Sequence, residues 1–173
     1  MKKLVALMLL LCVAPLLARG EGANDLSLEI RITRGERSKD SHSSTTVLTI
    51  SGQTLVYRTI SGRRNSGRAV APREFKLTGE DQRKLVKLIK DRDLLRTDSI
   101  EREQDTSGIY RYFELSVKAV VKGNEGLIQI KGSRKATDLK EEKLYKDAVA
   151  LVEEIYGIIH RTNEAIVYEP LIN

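Results

Sequence analysis

Tryptophan is missing from this chain, cysteine occurs once, at Cys12, and histidine twice, at His42 and His160. One cysteine cannot build the disulfide framework that staples many small extracellular domains. Two histidines at no ligand spacing, with no cysteine to join them, leave a zinc centre short of donors. Six tyrosines and two phenylalanines are the only aromatic residues. The stacking platforms that sugars and single-stranded nucleic acids use are therefore poorly supplied.

Signatures of catalysis are equally thin. Asp40-Ser41-His42-Ser43 contains the residue types of a catalytic triad. Neighbours on one polar loop cannot hold nucleophile, base and orienting acid in the required geometry. No Gly-x-Ser-x-Gly elbow occurs, and the glycines of Ser61–Arg68 lack the lysine and spacing of a phosphate loop. Asp98, Glu101, Glu103 and Asp105 form an acidic cluster, but counting from Asp98 puts Glu103 where a calcium loop needs glycine and Ile109 where it needs glutamate. No catalytic residue, metal or cofactor is expected.

What is present begins at the N-terminus. Lys2 and Lys3 precede an apolar run from Leu4 to Leu17, which ends at Ala18-Arg19-Gly20. A basic start, an apolar centre and a small-x-small site are the marks of a secretory signal peptide, residues 1–20. Cleavage after Gly20 puts Ala18 at −3; cleavage after Ala18 is the neighbouring option. As a helix the run spans only about 21 Å, against a hydrocarbon core of roughly 30 Å, which argues against a permanent anchor. Leu11 before Cys12, and the apolar residues after it, do not suit a lipid-attachment box. Removal of the leader leaves 153 residues and takes three of the 30 basic residues with it, so 27 face 24 acids and the net charge is about +3. That balance gives no argument for nucleic acid or an anionic membrane. A secreted or periplasmic location is expected.

Residues 21–160 read as one domain and 161–173 as a C-terminal tail. Leu26, Leu28, Ile30 and Ile32 alternate with polar residues, the mark of a half-buried strand. Thr46–Ile50 and Thr54–Ile60 follow, with Gly52-Gln53 as a two-residue turn. That turn sets Ile50 opposite Leu55 and Leu48 opposite Tyr57. Thr78 and Asp81 form a variant capping box ahead of the Leu85, Leu88, Ile89 stripe of a helix. Phe113–Val121 alternates as the longest strand, and Gly123–Gly126 turns it into Leu127–Lys131. A long helix, about 139–160, carries Leu144, Ala148, Leu151, Val152, Ile155 and Ile159 on one face. The expected class is α+β: an antiparallel sheet of about five strands with two packing helices, in the order βββαββα.

Two polar segments interrupt this pattern. The stretch 61–73 reads as a flexible loop holding Arg63, Arg64, Arg68 and Arg73 among glycines. Arginine forks grip carboxylates and are enriched at binding hot spots, so these four are the candidate partner-binding residues. The second segment, 96–108, is partly acidic and could join it as the other lobe of one binding edge.

The run Phe75-x-Leu77-Thr78-x-Glu80-Asp81-x-x-x-Leu85-x-x-Leu88-Ile89, followed by Asp93-Leu94-Leu95, an exposed loop and a strand pair, resembles emfourin-type domains. These are small inhibitors of thermolysin-like metalloproteases. The likeness spans most of the chain in element order and about twenty residues in sequence pattern. It implies an inhibitor whose partner is a secreted protease, and transfers no contact residue. The expected function is a non-catalytic protein-binding module. The alternatives are a self-associating envelope protein and a hydrolase with paired carboxylates.

Overall fold

The computed structural model of the chain describes residues 26–37, 42–63, 66–102 and 110–172; the expected signal peptide lies outside them. The elements in chain order are β1 (Leu26–Arg37), β2 (His42–Ser51), β3 (Thr54–Arg63), β4 (Ser66–Ala69), β5 (Arg73–Lys76), α1 (Gly79–Asp91), β6 (Thr97–Glu101), β7 (Tyr110–Val121), β8 (Asn124–Ser133), a 3-10 turn (Thr137–Glu141) and α2 (Lys143–His160). The strands form one sheet in the order β4-β3-β2-β1-β7-β8-β6, with β5 also paired to β3.

Strict alternation explains the layering. Leu28, Ile30 and Ile32 of β1, Leu48 and Ile50 of β2, and Phe113, Leu115 and Val117 of β7 are buried on one face. The residues between them, Glu29, Arg31, Glu114 and Lys118 among these, lie on the other face. Both helices pack on the apolar face. Leu85 and Ile89 of α1 are fully buried, as are Ala148, Leu151, Val152, Ile155 and Ile159 of α2. The segment after α2 has no regular structure, yet Ile166, Leu171 and Ile172 join the same core. Glu169 anchors it: Arg34 donates to its carbonyl, and Arg134 Nη2 lies 2.9 Å from its carboxylate.

Local chemistry sets the joints. Gly52 has φ +56° and Gln53 does not follow it into the left-handed region, and Ile50 stands opposite Leu55 and Leu48 opposite Tyr57. The side chains of Thr78 and Asp81 cap each other's backbone N–H groups at the start of α1. Gln82 Nε2 donates to the Gly52 carbonyl at 2.7 Å and ties α1 to the β2–β3 turn. At its other end α1 delivers residues 94–96 onto β8, where Leu127 N–H donates to the Arg96 carbonyl at 2.9 Å.

Three expectations are corrected. The sheet has eight strands rather than about five, because 61–73 and 96–108 both contribute strands at its rims. It is mixed rather than wholly antiparallel: β6 runs parallel to β8, with Thr97 opposite Leu127 and Glu101 opposite Lys131. Parallel neighbours cannot be joined by a hairpin: the chain passes from β6 to β8 by way of β7, and α1 carries it from β5 on one rim to β6 on the other. Finally, the β7–β8 turn is Lys122-Gly123, both left-handed at φ +51° and +81°. Gly126 is not in the turn but inside β8.

Candidate functional site

The expected binding residues sit on the rim of the sheet rather than in a free loop. Ser61–Arg63 completes β3, and β4 folds back on it, so Arg63 stands opposite Ser66 and Arg68 opposite Ser61. Further on, Arg73 stands opposite Tyr57. Arg64 lies outside the described residues. From Tyr57 to Arg63 is six residues along β3, about 20 Å at strand rise. Arg63 and Arg68 are therefore neighbours, and Arg73 is well separated from them along the same rim.

Between β4 and β5 the rim carries a bulge. Ile60 pairs with Ala69 and Tyr57 with Arg73, so Val70, Ala71 and Pro72 oppose only Arg58 and Thr59. An extra residue bends the edge, and proline removes a donor from it. Together with the charged residues this rim is poorly suited to accept a further strand. The opposite rim is blunted differently. Arg96 and Arg102 use backbone groups that face β8, which leaves the Ser99 N–H facing outward. The Asp98 carboxylate accepts that N–H at 2.8 Å.

One residue of the basic rim is not conspicuous by strand reading. Arg58 belongs to the same run: residues 58–73 hold five arginines and no acid. The register puts it on the face away from the helices, beside Val47. Arg58 and Arg73 are exposed, and among the described residues neither holds a carboxylate. Elsewhere the arginines are mostly engaged: Arg92 with Asp147, Arg96 with Asp93 and Asp98, Arg102 with Asp138 and Glu142, and Arg161 with Asp81. The run 58–73 has no such internal neutralisation in sequence.

The acidic segment does not join the basic one. β4 and β6 end the strand order on opposite sides, six strand spacings or about 29 Å apart. Glu103 and Asp105 lie outside the described residues. No family model matches the chain, and no curated protein matches it.

The buried carboxylates are structural. Asp147, on α2, accepts from Arg92 Nη1 at 2.9 Å and from Lys143. Burial works to raise its pKa, but the hydrogen bonds and charges of Lys143 and Arg92 outweigh that and hold it below the ordinary value. Asp81 is likewise lowered: burial opposes ionisation, and the Thr78 cap and Arg161 overcome it. A carboxylate whose folded pKa is depressed stabilises the fold above its unfolded pKa of about 3.9 and loses that contribution as the pH falls. The urea midpoint should therefore drop between about pH 5 and pH 2, and less steeply in Asp147→Asn. An unchanged midpoint at pH 3 would refute this. His42, at the head of β2, and His160, at the end of α2, stand on separate elements. Among the described residues no group of three His, Cys, Asp or Glu is placed to hold a metal.

Proposed function

We propose that the chain is a secreted or periplasmic, non-catalytic protein-binding module that takes an acidic partner surface on its β3–β4–β5 rim. One observation carries the reading. Strand pairing brings Arg58, Arg63, Arg68 and Arg73 to one side of the sheet, where residues 54–76 hold a single acid, Glu74, and Arg58 and Arg73 are exposed and hold no carboxylate among the described residues. Unpaired guanidinium groups at a rim favour a partner that brings the carboxylates, by steering and by forked hydrogen bonds. The bulge and Pro72 direct recognition to side chains rather than to strand addition. The emfourin resemblance supplies the class of partner, a secreted protease, and makes inhibition the specific activity.

The test is a pull-down from the extracytoplasmic fraction, comparing the wild type with Arg63→Ser/Arg64→Ser/Arg68→Ser. The triple variant should lose most of the partner, and wild-type capture should weaken as salt screens the charges. The mass of the recovered chain reports its processing, with Glu21 the expected first residue. Equal recovery by the wild type, the triple variant and Arg58→Ser/Arg73→Ser would overturn the rim as the binding site. An intact Met1 on a cytoplasmic chain would overturn the location.

A further inference from the structure

The sheet has helices on one face only, and among the described residues nothing covers the other. We infer that this open face is the interface of a two-fold symmetric dimer of the chain. The proposal goes beyond the rim reading and does not depend on it.

Area is the first support. Six strand spacings by four intervals of alternate residues give a face on the order of 800 Å² per copy, and that is about the per-partner size of a standard specific interface. The second support is self-complementarity, which a two-fold interface requires because each contact occurs twice. The register lays the face out in rows across the strands. The middle row runs through Val47, Arg31, Ser116 and Gln129. A two-fold axis along that row, perpendicular to the strands, exchanges the rows above and below it.

On β7 the exchange sets Lys118 against Glu114 of the second copy, and Glu114 against its Lys118. On β3 it sets Val56 against Ile60, both half-buried. On β2 it sets Thr49 against Thr45. No like-charged pair arises between these two rows. In the middle row Arg31 meets its own counterpart, but each is already bound to Glu29 at 2.7 Å. Arg58 continues the middle row on β3 beside Val47, so it too meets its own counterpart, and the two long side chains reach out past the sheet edge to keep their charges in water.

The charge exchange on β7 provides the test. The full chain, purified in whatever processed form it takes, is weighed by light scattering after size exclusion. The wild type should show twice the chain mass. Glu114→Lys and Lys118→Glu should each give monomers, since each sets like charges against each other twice per dimer. The double variant Glu114→Lys/Lys118→Glu should return to the dimer. Its intrachain contacts, Lys131 beside position 114 and Glu125 beside position 118, stay mismatched, so a recovery cannot come from restored stability. Thermal melts confirm that the single variants are folded. A monomeric wild type, single variants that remain dimeric, or a double variant that stays monomeric would each overturn the proposal. The Arg63/Arg64/Arg68 triple variant should stay dimeric, which keeps a failure of the rim reading distinct from a failure here.

Discussion

Phe113→Ala should remove about 3–5 kcal/mol of stability, the usual cost of emptying a large aromatic site in a core. Phe113 is fully buried on β7, next to the central strand, and opposite Arg34 of β1 and Gly132 of β8. Its ring meets Tyr145 of α2 edge-on, with centroids 6.2 Å apart. Gly132 lies under that ring, and a Cβ there would come 3.3 Å from it and 2.4 Å from Leu139. The site therefore joins sheet, helix and the 3-10 turn, and no one neighbour can collapse into the space. A domain of this size has about 5–15 kcal/mol in all, so the variant stands near the limit of folding. Urea titration checks it through the midpoint at unchanged slope. A loss below about 1 kcal/mol would mean that the cavity closes.

Gly126→Ala should cost about 3 kcal/mol, the upper range for forcing a methyl group into filled space. A Cβ at Gly126 would stand 2.2 Å from the Leu94 carbonyl oxygen, 2.6 Å from Leu95 Cα and 2.7 Å from Arg96 N. All three are backbone atoms, so no side chain can turn aside. Residues 94–96 would have to lift off β8, and the bond from Leu127 N–H to the Arg96 carbonyl would go with them. Gly157→Ala is the control of opposite sign. Gly157 is exposed within α2 and a Cβ there meets nothing within 4 Å, so alanine should stabilise by about 0.5–1 kcal/mol through helix propensity. Paired denaturation curves measure both. Equal effects of one sign would show that the contact at β8 is misread.

These sites also show how far the chain could be read before its structure. Where a residue's neighbours in sequence decide its state, reading succeeded. The Gly52 turn fixed the β2–β3 register, and Thr78 with Asp81 marked the start of α1. The alternation of Leu26–Ile32 in β1, that of β7 and the apolar stripe of α2 were equally plain, whereas the polar ends of β1 and β2 looked like a loop and are paired strand. Where a distant segment decides, reading failed. Gly126 looks like a turn residue and is instead the floor on which 94–96 rests. β6 has only Ile100 as an apolar member and is half-covered at most, because a rim strand has little to bury. The 66–76 rim is written in arginine, glycine and proline for the same reason. Ile166, Leu171 and Ile172 show no period at all, since a segment without regular structure has none. The arginines of the candidate site were visible as a run, but their place on one edge came only from pairing with β3. Arg58 was hidden because it sits inside an ordinary strand pattern.

The central position of β1 governs how the molecule reaches this state. Of the described strands, β1 comes first in the chain yet lies in the middle of the sheet, and Leu26 pairs with Val121 across 95 residues of chain. Until β7 exists, β1 has only β2 beside it, and the two apolar strands have no second neighbour and no α2 to cover them. Closing so long a loop must precede the contacts that reward it. Refolding should accordingly fall in the millisecond-to-second range rather than the microsecond range of helical bundles. During that interval the apolar face and the unpaired edge of β1 stay exposed, which is when such a chain is most open to aggregation.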